Sequence, residues 1–134
     1  MNKKEIVSYL KALLYIATID ENFDDNEKIY ISNMANLYEL TNEQVKELEM
    51  TVINREESLE DILSEIKSRQ VKLSLIYELM YLCYIDGNYC EREHAGMENI
   101  REILNIESEK LDEIEKLVIE GLKLQERIDK TLEK

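Results

Sequence analysis

Two short stretches place hard oxygen donors close together. "TIDENFDDNE", from Thr18 to Glu27, offers Asp20, Asn22, Asp24 and Glu27. "YIDGNYCERE", from Tyr84 to Glu93, offers Asp86, Asn88 and Glu93. Carboxylate and amide oxygens gathered in this way suit calcium or magnesium. The EF-hand template does not fit, because Asp25 stands where its glycine belongs and Ile31 where its bidentate Glu belongs. A cation site here is therefore a shorter loop. The first stretch is the better supplied, since its Glu21 and Asp24 become Gly87 and Cys90 in the second.

The same residues have a purely structural use. An Asp at the end of a helix can accept from the backbone N–H two residues on, with Asn22, Asn88 or Gly87 taking the left-handed conformation a helix end favours. Asp24-x-x-Glu27 then reads as a capping box in all but the type of acid. In the second stretch Cys90 holds the cap position, and sulfur is a weak acceptor. A brace explains both Asp and both Glu without any ligand. The acids are thus expected to be corner braces first and cation ligands second.

Other constellations are thinner. Glu91-x-x-His94 has the helix spacing of di-iron carboxylate bundles, but such sites need a second Glu-x-x-His and His94 is the only histidine. Cys83, Cys90 and His94 match no zinc spacing. Cys90 and His94 are the one thiol–base pair for a thiol- or metal-dependent enzyme, and they lack a glycine-rich turn to build an oxyanion hole. No phosphate-binding glycine loop is present. The catalytic inventory is empty and no cofactor is specified.

The elements that must position these residues follow from the patterning. With no proline and three glycines in 134 residues, the composition points to helices joined by short connections. Sliding the chain by 66 residues, from 20 to 86, lays Leu13 on Leu79, Tyr15 on Tyr81, Asp20 on Asp86 and Glu27 on Glu93. The register holds without a gap as far as Val52 on Val118, which is the mark of two copies of one supersecondary unit. Each copy reads as three helices. The first carries Ile6, Leu10, Leu13, Leu14 and Ala17; the second Tyr30, Met34, Leu37 and Tyr38; the third Val45, Leu48 and Val52, started by a Thr41–Gln44 capping box. In the second copy Leu73 to Ile85 is apolar on nearly every side, which places that helix at the centre. Met97, Ile100, Ile103 and Leu104 follow, then Leu111, Ile114, Leu117 and Val118.

These stripes predict an all-α bundle of about seven helices in a single domain, 1–134. Repeat one spans about 6–53, a linking helix capped by Ser58 about 58–66, and repeat two about 69–118. A C-terminal helix covers about 120–133, either separate or bent at Gly121. Cys83 falls on Ala17 and is expected to be a small buried position, with Cys90 more accessible. Both cysteines read as free thiols of a reducing, cytoplasmic compartment.

Charge narrows the partners. A formal charge of −13 argues against a nucleic-acid partner, which needs a basic footprint. It disfavours an anionic membrane surface for the same reason. Divalent cations and basic protein patches are what an acidic surface attracts. No apolar run has the length of a membrane span.

With two "(A/I)-D-G-x-x-x-x-x-E" turns, "IDENFDDNE" and "IDGNYCERE", each after the first helix of its half, the chain resembles the TerB-like family. That family takes its name from bacterial tellurite-resistance proteins. The resemblance runs from about Ile6 to Val118. Gly87 matches the glycine that usually follows the Asp, and Glu21 departs from it; Ile19 and Ile85 stand where alanine is usual. The resemblance implies a helical bundle in a cytoplasmic or inner-membrane-peripheral setting, and a part in stress response or signalling. Divalent-metal binding through the acidic turns has been suggested for that family, and a protein partner is expected for this chain, with a homodimer among the options. No enzymatic reaction comes with it.

A brace and a ligand respond differently to losing charge. Asn keeps the acceptor of Asp and removes the charge. Asp86→Asn is therefore expected to be mild, within about 0.3–1 kcal/mol. Asp86→Ala removes the acceptor and is expected to cost on the order of 1–3 kcal/mol. Thermal melts with and without calcium check this. Equal damage from both variants, seen only with calcium, would make the turn a cation site and not a brace.

Overall fold

The computed structural model describes residues 1–19, 25–85 and 90–133. Among them the chain forms seven helices: α1 (Lys3–Thr18), α2 (Asp25–Leu37), α3 (Asn42–Ile53), α4 (Leu59–Leu63), α5 (Arg69–Tyr84), α6 (Glu91–Leu104) and α7 (Ser108–Leu132). There is no strand among the described residues.

Capping chemistry sets the starts. Asn2 accepts from the Glu5 N–H at 2.9 Å while the Glu5 carboxylate reaches back to the Asn2 N–H, opening α1. The Thr41–Gln44 box opens α3 as the sequence indicates. Ser58 Oγ accepts from the Asp61 N–H at 3.1 Å and opens α4. Each device satisfies N–H groups that a helix end leaves without an intrahelical acceptor.

Three helix ends are closed by non-glycine residues in the left-handed region, Glu39 (φ 62), Arg55 (φ 53) and Asn105 (φ 58). After each, an N–H returns to a carbonyl five residues back: Leu40 to Ala35, Glu56 to Thr51 and Ile106 to Arg101, at 3.0–3.1 Å. Leu40 and Ile106 then bury their side chains, the apolar contact that accompanies this closure. A chain this poor in glycine stops its helices by burying the residue that follows.

The core lies between α1 and α5. Helix α1 packs against α2, α3, α4, α5 and α6, and α5 against α1, α6 and α7. Helix α5 is central, as the Leu73–Ile85 run indicates, but it shares the centre with α1 and is not buried all round. Tyr77 is exposed and Glu78 half-buried on α5, whereas α1 buries Tyr9, Leu10, Ala12, Leu13, Leu14, Ile16 and Ala17. Tyrosine sits readily at a boundary, ring inward and hydroxyl in water, and Ser74 and Glu78 interrupt the run, so a mostly apolar segment did not mean burial all round. Polar and aromatic contacts fix the pairing. Tyr9 Oη lies 3.3 Å from Ser74 Oγ, and the Tyr30 and Tyr81 rings meet with centroids 5.3 Å apart. Lys11 pairs with Glu57 of the connection between α3 and α4.

Other differences from the sequence reading have local causes. On α2 the buried face is Glu27, Ile31 and Ala35, while Leu37 and Tyr38 are exposed. The large apolar residues pointed to a neighbouring face because the true one begins with a carboxylate. Helix α4 ends at Leu63, where the Ser64 hydroxyl turns back to the Asp61 carbonyl at 2.7 Å; Ile66 is buried beyond the helix. Helix α7 runs unbroken through Gly121, since one glycine costs a helix interior only about 1 kcal/mol and no proline follows. Leu117 stands out into solvent while Leu111, Ile114 and Val118 face α5.

Close approach of α6 to α1 depends on Gly96. A Cβ there would lie 2.9 Å from Ile19 Cδ1 and 3.0 Å from Ile16 Cδ1. Ile19 is only half-buried and can shift, so Gly96→Ala is expected to be near neutral, the strain offset by better helix propensity. Gly96→Val adds branched bulk against the fully buried Ile16 and is expected to cost about 1–3 kcal/mol. Urea denaturation of both variants measures this, and a neutral Gly96→Val would refute the close packing.

Candidate functional site at the acidic helix corners

Helices α2 and α6 begin alike. Glu27 and Glu93 each occupy the third position of their helix. Each is almost completely buried, at 2% and 3% exposure. A carboxylate at a helix N-terminus faces the positive end of the helix dipole, which offsets part of the cost of desolvating it.

At α6 the local structure is a complete capping box. The Glu93 N–H donates to Cys90 Sγ at 3.4 Å, and the Cys90 N–H donates to Glu93 Oε1 at 3.1 Å. Cys90 thus caps the helix despite its weak acceptor, because Glu93 supplies the stronger half of the box.

The two corners share a neighbour. Cys83, in the last turn of α5, is fully buried. Its thiol is pushed far above the ordinary thiol range, first by burial, then by the Glu93 carboxylate and a hydrogen bond to it, and then by Glu27. Glu93 and Glu27 therefore converge on one thiol from two helices. That thiol is held protonated as a donor to Glu93, the opposite of the activated thiolate a nucleophile needs. Ala17, its counterpart on α1, is equally buried.

Asp20, Asn22, Asp24, Asp86 and Asn88 lie outside the described residues, as do the turn conformations and the superposition of Asp20 on Asp86. Of the candidate ligands, Glu27 and Glu93 lie within the described residues, each buried in the first turn of its helix, and both raise the Cys83 thiol. Among the described residues no three His, Cys, Asp or Glu side chains form a group able to hold a metal ion. A cation at these corners would need oxygens from the turns as well. Glu91 and His94 are both exposed on α6, so their di-iron spacing does not face the core. Sequence reasoning missed Cys83 as the meeting point. The signal was its alignment with Ala17, one helical turn before each acidic corner, and that alignment suggested only a small core residue.

One surface cleft, of about 430 Å³, is lined by Tyr15, Ile19, Arg55, Arg92, Gly96 and Asn99 and includes neither carboxylate. No described helix is long and apolar enough to cross a membrane.

An all-helical bundle whose second and sixth helices open on buried glutamates, each following an acidic turn in the sequence, defines a small class of helical modules. The family model described as tellurite resistance protein TerB matches residues 8–116. The chain belongs to the TerB family, a match that takes in α2 to α6 entirely and most of α1. Neither the comparison with curated proteins nor that with solved structures gives a match.

The protonated thiol has a consequence for stability. In the unfolded chain a thiol ionises near about 8.5 and a phenol near about 10. In the fold, burial raises both Cys83 and Tyr9 far above those values. As pH rises past about 8.5 the unfolded state sheds protons that the native state keeps, so stability is full below that pH and falls above it. Cys83→Ala should cost on the order of 1 kcal/mol near neutrality for lost packing. It should also flatten the fall between about pH 8.5 and 10. Urea midpoints across that range test it, and an equally steep fall in the variant would show that Cys83 ionises freely in the fold.

Proposed function

We propose that the chain is a non-enzymatic TerB-like binding module that engages a protein partner and takes a divalent cation, calcium or magnesium, at its first acidic corner. The observation that carries this reading is the burial of Glu27 in a −13 chain, directly after a stretch bearing Asp20, Asn22 and Asp24. A hard cation would be repaid there by the field of several carboxylates.

The second corner is read differently, and a specific observation favours the difference. Cys90 replaces the cap acid, and its box with Glu93 already commits that carboxylate to backbone and thiol donors. Glu93 is accordingly read as a brace at the start of α6. We infer the two-copy organisation on similar grounds. The helix ends at Glu39–Leu40 and Asn105–Ile106 close in the same way, at positions 66 apart in sequence, and Glu27 and Glu93 share burial and helix position. The thiol-enzyme alternative centred on Cys90 and His94 finds no support in a Cys90 engaged as a helix cap. The family resemblance supports a part in bacterial stress response or signalling, which we propose is carried out in the cytoplasm.

Calcium and magnesium titrations followed by two-dimensional NMR test the cation reading. Shifts are expected at residues flanking the first corner, lost in Glu27→Gln and retained in Glu93→Gln. An absence of shifts up to about 10 mM, well beyond the weakest useful calcium sites, would end the cation reading. Identical shifts in wild type and Glu27→Gln would remove Glu27 from it.

A further inference from the structure

The outer half of α7 has a second apolar face that the bundle does not use. Leu117, Leu124, Ile128 and Leu132 are 57%, 54%, 40% and 77% exposed. Their spacing of four and three residues, through Gly121, makes one stripe along the helix. It lies about a quarter turn around from Leu111, Ile114 and Val118, which face α5. A cleft of about 260 Å³ runs beside it, lined by Leu124, Arg127, Ile128, Thr131 and Leu132.

Two independent features say what covers this face. The first is charge. The whole chain carries −13, so most of its surfaces repel a second copy. Residues 117–132 are different: Glu120, Glu126 and Asp129 are balanced by Lys123, Arg127 and Lys130. The second is Gly121. A Cβ there would meet nothing within 4 Å, so nothing inside the chain requires glycine in the middle of a 25-residue helix. A glycine in an apolar stripe lets another helix approach closely.

We propose that this face pairs antiparallel with the same face of a second copy. The two-fold axis falls between positions 122 and 123. Leu117 of one copy then packs on Ile128 of the other, and Leu124 on Gly121, each contact occurring twice by symmetry. In this register Glu120 of each copy flanks Arg127 of the other, on the side of the stripe away from α5. Each protruding helix end thereby lies along the exposed flank of the other copy's bundled half. Parallel pairing would instead set Glu120 and Arg127 against Gln125 and Leu132 of the other copy, with no charge pair, so the charge order favours the antiparallel arrangement. This inference stands apart from the cation reading, which concerns the opposite end of the helices' sequence and different residues.

Sedimentation equilibrium of the full chain from about 5 to about 500 μM tests it. A monomer–dimer equilibrium is expected. Leu124→Glu should abolish it with an unchanged far-ultraviolet spectrum, since Leu124 is not a core residue. Arg127→Glu should weaken it about tenfold or more, one tenfold step being 1.4 kcal/mol. The exchange Glu120→Arg/Arg127→Glu should restore it. A monomer at every concentration overturns the proposal, as does a dimer indifferent to Leu124→Glu. Loss in Arg127→Glu without recovery in the exchange variant overturns the antiparallel register. Vesicles of anionic phospholipid provide a further arm: a chain that binds them through Leu124 while remaining monomeric has a lipid-facing helix, and the pairing is refuted.

Discussion

Burying a carboxylate is the constraint around which this small bundle is arranged. A charge removed from water needs hydrogen-bond donors and a favourable field, and few places in a helical protein supply both. The N-terminal turn of a helix does. Glu27 and Glu93 sit in such turns, so α2 and α6 must aim their starts into the core. That requirement fixes the direction in which each helix leaves its corner. It also explains why α2 buries a carboxylate, an isoleucine and an alanine while its large residues Leu37 and Tyr38 face outward. Around this arrangement α1 and α5 supply the apolar mass, with Cys83 and Ala17 small enough to sit near the corners.

Much of the fold was legible because local signals agree with the global one. The caps at Thr41 and Ser58 start helices where expected, and the apolar stripes of α1 and α6 are the buried ones. The reading went astray where a residue's type did not reveal its environment. Glu27 is charged and buried, so hydrophobic patterning turned α2 toward the wrong face. Leu117 is apolar and exposed, so the same patterning assigned it to the core. Serine at position 64 ended α4 by a side-chain hydrogen bond that competes with the helix, a choice a stripe of isoleucine and leucine does not announce.

The candidate site was legible in part for a related reason. Repetition along the chain singled out Glu27 and Glu93, and a repeat needs no knowledge of distance. Their shared influence on the Cys83 thiol depends on where the fold places the three groups. It follows from tertiary geometry, not from spacing. Cys90 was expected at the cap as a weak acceptor with Glu93 beside it; the structure joins the two in a reciprocal box whose stronger half lies on Glu93.

The pairing of α1 with α5 also bears on how the chain reaches its fold. Most helix contacts join near neighbours in sequence, α1 with α2 and α3, and α5 with α6 and α7. Each trio can assemble with little loop-closure entropy. The meeting of α1 and α5 is the contact that must bring distant segments together, so it is the natural rate-limiting event. No prolyl bond stands in the way, since the chain has no proline, and the slow isomerisation that delays many refolding proteins has no residue on which to occur. The α1–α5 contact is the largest one between the two trios, accompanied by Tyr9 against Ser74 and Tyr30 against Tyr81, and it carries the long-range share of the topology.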